Sequence, residues 1–234
     1  MNLEQANKDL TPLSASERIL WGLEHIKGNH ALTSSFGIQS AVMLHLVTQV
    51  RPNLPIILID TGYLFTETYQ FIDALTERLK LNLKVYSTAL SPAWQEARYG
   101  KQWCDGLDGL SQYNQRVKVE PLKRAASELG LHCWFSGIRR SQSQSRHNTP
   151  FINHQNGLYK IHPIVDWSDK DIYDYLQQYD LPYHPLWEKN YLSVGDWHSS
   201  APITADMTEE ETRFFGLKRE CGIHEDWESD GSGI

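Results

Sequence analysis

The sequence has no run approaching ~18 apolar residues, so it offers no membrane-spanning helix. Its first ten residues, MNLEQANKDL, contain neither a basic stretch nor an apolar one and do not read as a secretory signal. Cysteine is scarce: three residues, at 104, 133 and 221, whose spacings make neither a metal site nor a disulfide framework. That usage suits a reduced, cytoplasmic protein, where thiols persist as thiols. Positive charge is not in excess either. Lysine and arginine number 22 against 29 acidic residues, for a net charge of −7. Broad nucleic-acid binding needs a basic surface, which this balance argues against. A few clustered arginines would still suffice for a small anion. No internal repeat or low-complexity linker divides the chain, so its 234 residues read as one domain.

What is present is an alternation of helix and strand. Ser14-Ala15-Ser16-Glu17 has the form of a capping box, followed by Ile19, Leu20, Leu23 and Ile26 at helical spacing. A short strand reads over 30–33 and an apolar helix over 39–50. PIILID (55–60) is a continuous apolar, β-branched run, as expected of a strand buried on both faces. A helix over 66–79, a strand over 81–87, a helix over 120–129 and a strand over 132–136 follow. Ser168 reads as the N-cap of a helix ending near Tyr179. A short helix is expected over 208–217. The expected class is therefore α/β, a doubly wound, mainly parallel sheet. Ligands of such sheets bind at the carboxyl ends of the strands, which selects the loops after Leu32, Ile59 and Phe135.

The first loop, TSSFGIQS (33–40), sets Ser34, Ser35, Phe36 and Gly37 where the free amides of a helix start face outward, a ready anion site. A serine cap with a glycine turn fits it equally well, and no GKS or GKT follows as a Walker loop requires. The second, DTGYLF (60–65), offers Asp60, Thr61 and Gly62, either to a base or ribose or merely as a cap for the next helix. The third, SGIRRSQSQSR (136–146), places Gly137, Arg139, Arg140 and Arg146 together. Arginine's planar fork of donors suits phosphate oxygens, and the loop's position at a strand end favours an anion site over a solvated basic loop. Lys118, in KVEPL, adds a further cation.

Cys221 lies in KRECGIHED, near the end of the chain. Lys218, Arg219 and His224 favour its thiolate, while Glu220, Glu225 and Asp226 oppose it, so local charge does not settle its reactivity. Cys133 falls in an expected strand and Cys104 follows a tryptophan. Both read as structural.

TSSFGIQS, DTGYLF, AWQEARYGK, KVEPL, the SGIRR loop, YHPLW, YLSVGD and TRFFGLKRECGIH occur in the order found in the 3′-phosphoadenylylsulfate reductase family, which this sequence resembles over about residues 14–226. The resemblance implies an adenine-nucleotide α-hydrolase-like fold, a homodimer, and Cys221 as the catalytic nucleophile. The chain reads as a core over about 14–195 and a mobile catalytic segment over about 196–226; the residues after Cys221, through WESDGSGI, are unusual for the family, and a tail over 227–234 is expected to be disordered. Ser34, Ser35 and Gly37 would line a phosphosulfate, with Arg139, Arg140, Arg146 and Lys118 supplying positive charge. Arg213, in TRFF, resembles a basic residue on the family's closing segment, and Tyr191 falls in a motif near the active site.

Relatives that reduce adenylylsulfate carry two cysteine pairs that hold a 4Fe–4S cluster, which requires thiolates. Here those positions are Tyr113, Asn114, Asp196 and Ser199. The resemblance thus implies no bound cofactor, the 3′-phosphorylated substrate, and thioredoxin or glutaredoxin as electron donor. Where many members carry Thr-Arg, this chain has Ser200-Ala201, so Lys218 or Arg219 would substitute for the missing cation. Two rivals remain: an ATP pyrophosphatase or adenylyltransferase, which would release pyrophosphate with magnesium, and a nucleotide-binding module indifferent to loss of Cys221.

Overall fold

The computed structural model describes residues 1–208, 210–217, 222 and 223. Its centre is a six-stranded sheet in the order β3-β2-β1-β4-β6-β5. The strands are β1 (Asn29–Thr33), β2 (Pro55–Ile59), β3 (Asn82–Tyr86), β4 (Leu131–Phe135), β5 (Ile152–Gln155) and β6 (Leu158–Ile161). All neighbours run parallel except β5 and β6, which form an antiparallel hairpin.

The period-two alternation of side chains divides the strands' residues between two cores. Leu32, Ile56, Leu58, Cys133 and Phe135 join the larger, against α2 (Ala15–His25), α3 (Ala41–Val50), α4 (Thr66–Leu79) and α8 (Asp169–Gln178). Ala31, Ile57 and Trp134 join the smaller, against Leu122, Ala125 and Ala126 of α7 (Glu120–Glu128). Burial on both sides explains why PIILI carries no polar residue.

Both expected caps form. Ser14 and Glu17 exchange hydrogen bonds at the start of α2, and Ser168 does the same with Asp171 at α8. Helices α1 (Leu3–Leu10), α5 (Pro92–Tyr99) and α6 (Gly106–Asn114) and the β5–β6 hairpin were not foreseen from the sequence. The helix expected over 208–217 is instead two short 3₁₀ turns, Glu210–Thr212 and Phe214–Gly216. Arg213 between them is extended, with φ −126° and ψ 139°, because it bridges to Ser200. No helix among the described residues is long and apolar enough to cross a membrane.

Residues 106–128 form one helical run that widens to π geometry over Gln115–Val119. Pro121 lacks the amide proton that an α-turn would give to the carbonyl at 117, and its ring crowds that oxygen. An i→i+5 turn relieves both problems and brings Tyr113 and Lys118 onto one face.

Candidate active site

The sheet order reverses direction of winding between β1 and β4, so a crevice is expected there, flanked by the loops that follow them. The loop after β2 lies alongside, because β2 is the other neighbour of β1. The topology thus brings together the three loops selected from the sequence.

The first loop is pinned from below. Phe36 is fully buried in the larger core and adopts φ 50°, the left-handed region that few non-glycine residues occupy. Any contact of Phe36 with a ligand is therefore through its backbone. Ser34 Oγ accepts the Phe36 amide at 3.1 Å, and Ser35 is exposed. A Cβ on Gly37 would meet only Ser35 Oγ, at 3.6 Å. The Ile38 carbonyl accepts the His184 amide, which ties the loop to the turn opening YHPLW.

In the second loop, Asp60 Oδ1 accepts the Gly62 amide at 2.8 Å and the Tyr69 hydroxyl at 2.7 Å. Gly62 has φ 77°, and a Cβ there would sit 2.5 Å from Pro92 Cγ, so glycine is required. Thr61 turns inward and donates to Asp196 Oδ1.

The third loop lies close on α3, with Gly137 so near Met43 that a Cβ would approach it to 2.9 Å. Arg139 is buried, and its guanidinium donates to Gln39 and Asp169, both at 2.8 Å, to Ser141 and to the Trp167 carbonyl. It locks the first and third loops together across the crevice. Arg140 and Arg146 are half-buried. Arg140 Nε donates to the Thr149 carbonyl, and Arg146 Nη1 to Gln142 Oε1.

Beside this crevice lies a polar centre surrounded by rings. Lys118 Nζ sits 2.7 Å from Asp196 Oδ2, with side chains 8% and 1% exposed. Tyr113 Oη donates to the same oxygen at 3.2 Å. His198 Nε2 lies 3.1 Å from Tyr113 Oη, and its ring stacks on Trp103 at 3.8 Å. Burial alone would raise the Asp196 carboxyl, but the Lys118 charge, with hydrogen bonds from Lys118 and Thr61, outweighs it and holds the group below its usual range. Burial pushes the His198 imidazole down to about 4 and the Tyr113 phenol up, the latter aided by the Asp196 charge. Lys118, expected among the substrate cations, thus has an acidic partner. Asp196 and Thr61 are the acid and hydroxyl that hold this centre, a role the sequence did not disclose.

Three of the four positions at which cluster-bearing relatives place cysteine meet here. Tyr113 and Ser199 both donate to Asp196, the latter to its carbonyl. Asn114, 2% exposed, has no hydrogen-bond partner for either amide atom among the described residues. None of the four supplies a thiolate, so this donor set does not fit an iron–sulfur cluster.

Arg213 docks on YLSVGD: Nη1 donates to Ser193 Oγ and the Val194 carbonyl, and a Cβ on Gly195 would collide with the guanidinium at 2.5 Å. The Ala201 amide donates to the Thr212 carbonyl, so Ser200-Ala201 holds the segment by its backbone. Tyr191 packs edge-on against Phe65 at 5.4 Å. Cys133 is fully buried and burial pushes its thiol up, whereas Cys104 is exposed and does not support packing as its structural reading implied. Lys218, Arg219, Cys221 and His224 lie outside the described residues.

A model of the phosphoadenosine phosphosulfate reductase domain matches residues 29–202. The chain belongs to that family. A phosphoadenosine 5′-phosphosulfate reductase of Vibrio cholerae serotype O1 is 60% identical over 226 residues, covering 97% of this chain and 89% of the relative. One from Shewanella oneidensis is 60% identical over 222 residues, covering 95% and 91%. Among solved structures, a phosphoadenylyl-sulfate reductase from Candida auris in complex with phosphate superposes with TM-score 0.74 at 29% identity, covering 85% of this chain and 95% of that one. An FMN adenylyltransferase from Candida glabrata, at TM-score 0.59 and 15% identity over 87% and 70%, shares the fold alone. The expected α/β architecture and family resemblance thus both hold.

Proposed function

We propose that this phosphoadenosine phosphosulfate reductase family member reduces 3′-phosphoadenosine 5′-phosphosulfate in sulfate assimilation, with Cys221 as nucleophile. The observation that carries the reading is likeness to named reductases across nearly the whole chain, at 60% identity. The Cys221 thiolate attacks the sulfur of the phosphosulfate. The sulfur–oxygen bond to phosphate breaks, and adenosine 3′,5′-bisphosphate leaves with the electron pair, leaving an S-sulfonated cysteine. A thiolate of thioredoxin or glutaredoxin then attacks Sγ of Cys221 and expels sulfite. The partner's second thiol resolves the mixed disulfide and returns Cys221 reduced. This is covalent catalysis in two half-reactions, and the residues at the cluster positions give it no iron to use.

The crevice between the β1 and β4 loops supports the nucleotide site. Ser34, Ser35 and the Phe36 and Gly37 backbone take the phosphosulfate, and Arg140 and Arg146 are the cations of the third loop least enclosed by protein. Arg139 and Lys118 act from within, the first by fixing Gln39 and the loop, the second through Asp196. Preformed donors of this kind stabilise the charge that develops on the departing phosphate. Asp60, Gly62, Gly137 and Tyr191 complete the walls, and Thr61 acts from within through Asp196. Lys218, Arg219 and His224 close over the substrate with the C-terminal segment, which Arg213 anchors on YLSVGD. The homodimer follows from the family resemblance, and the cytoplasmic setting from the cysteine usage.

A sulfite-release assay on the pure protein tests this. Release from the 3′-phosphorylated substrate with thioredoxin or glutaredoxin, and much slower release from adenylylsulfate, is expected. Equal rates on the two substrates would contradict the specificity, and absence of sulfite with either donor would contradict the activity.

A further inference from the structure

Phe214 stands out in the C-terminal segment. It is fully buried, while Leu217, three residues on, is 48% exposed. Its ring belongs to a separate small core with Tyr63, Trp103, Leu110, Tyr113 and Val117. Lys118 Nζ lies 5.1 Å from the ring centroid and the Arg213 guanidinium 4.9 Å, so cations border the ring. The backbone at Phe214 has φ 48°, a conformation such a residue keeps only when its surroundings impose it. The surroundings are the bridge from Arg213 to Ser200, the Ala201–Thr212 hydrogen bond, and the turn closed by the Leu217 amide on the Phe214 carbonyl. Gly216, at φ 74°, lies inside that turn and donates its amide to the Arg213 carbonyl.

Cys221 stands seven residues after Phe214 in the sequence. On its other side, Ile223 is only partly buried, against the smaller core of Ala31, Ile57 and Trp134. The described residues on either side of position 221 thus make one deep contact, at Phe214, and one shallow one, at Ile223. From this we infer that Phe214 is a positioning residue for the reaction: the ring-and-ion centre around Asp196 grips the segment through Phe214 and thereby sets where Cys221 can reach. In this chain Tyr113, at one cluster position, lines that socket, and Asp196, at another, pairs with the Lys118 that borders the ring. The inference rests on Cys221 being the nucleophile.

The test compares Phe214→Ala and Phe214→Leu with the wild type in three measurements: affinity for adenosine 3′,5′-bisphosphate, thermal unfolding, and the single-turnover rate of Cys221 S-sulfonation at saturating phosphosulfate. The nucleotide affinity should stay within about twofold, since neither the first nor the third crevice loop contributes to the Phe214 core, while sulfonation slows by about 100-fold for Ala and about tenfold for Leu, because small misplacements of a reacting group cost such factors. Saturating substrate should not rescue the rate, so the loss falls on kcat rather than KM. Wild-type sulfonation rates in both variants would overturn the inference, as would nucleotide affinity falling in step with the rate. If Ala unfolds the protein, Leu, which nearly conserves the volume, decides alone. Wild-type sulfonation at a residue other than Cys221 would instead overturn the proposed function.

Discussion

Replacing Lys118 by Met isolates the energetics of the polar centre. Asp196 would keep its hydrogen bonds from Thr61 and Tyr113 but lose the cation 2.7 Å from Oδ2, in a site where its side chain is 1% exposed. Leaving a buried charge without its partner costs about 3–5 kcal/mol, and the neutral hydrogen bonds, present in both proteins, do not offset it. For a chain of this size that corresponds to a fall in Tm of about 10 °C. The pH dependence is the sharper readout. In the wild type the Asp196 carboxyl is held below its usual range, so its contribution is present above the unfolded pKa and is lost as pH falls through the folded one. Without Lys118, burial dominates and the folded pKa rises above the unfolded value. The penalty is then full at neutral pH and is relieved on acidification. Urea denaturation at pH 8 and pH 5 should show the gap between Lys118→Met and wild type narrowing at the lower pH. Adding Asp196→Asn should restore most of the stability at pH 8. A loss below about 1 kcal/mol, or a gap that does not narrow, would refute the assignment of Lys118 to Asp196.

Acid should weaken the fold through buried neutral histidines. His184 is fully buried, with Nδ1 accepting the Leu186 amide and Nε2 bonded to Thr68, and burial pushes it down to about 4. Between the unfolded value near 6.5 and about 4 only the unfolded state takes up the proton, so stability falls by up to about 3 kcal/mol over that window. Urea midpoints from pH 7 to 4.5 should therefore drop more steeply in the wild type than in His184→Gln; equal slopes would contradict this. Gly22→Ala should lose about 1 kcal/mol despite alanine's higher helix propensity, because overpacking outweighs it: the new Cβ would lie 2.4 Å from Ile161 Cδ1. Ile161→Val removes that atom and should recover the loss, as chemical denaturation would show; a stabilised Gly22→Ala alone would contradict the packing.

Four of the six strands were legible, β5 and β6 not: PIILI is apolar throughout, and loops flanking β1, β2 and β4 change composition abruptly. The capping boxes at Ser14 and Ser168 were legible because each is a local pair of side chains. Helix α5 escaped notice because only Gln95 of it is buried and Trp94 is 59% exposed, so no apolar stripe marks it; α6 escaped because its buried face mixes Gly109 and Asn114 with Leu110 and Tyr113. The turns at Phe214 escaped for the opposite reason. TRFFGLK has a helical composition, but burying Phe214 beside Tyr113 and pairing Arg213 with Ser200 impose a backbone that local propensity would not choose. At the site, motifs identified the loops but not the work of each side chain. Arg139 read as a phosphate cation because arginine near glycine and serine suggests an anion, and Lys118 because KVEPL is one of the motifs of the family resemblance. Their acidic partners, Asp169 and Asp196, lie 30 and 78 residues away in the chain and meet them only through the fold.

The central claim is that Cys221 takes the sulfonate. Reduced protein incubated with 3′-phosphoadenosine 5′-phosphosulfate, without a redoxin, should gain the mass of one sulfonate group, mapped by peptide analysis to Cys221. Later addition of thioredoxin or glutaredoxin should remove it as sulfite. Unmodified wild type, or a sulfonate that persists in Cys221→Ser, would contradict the account.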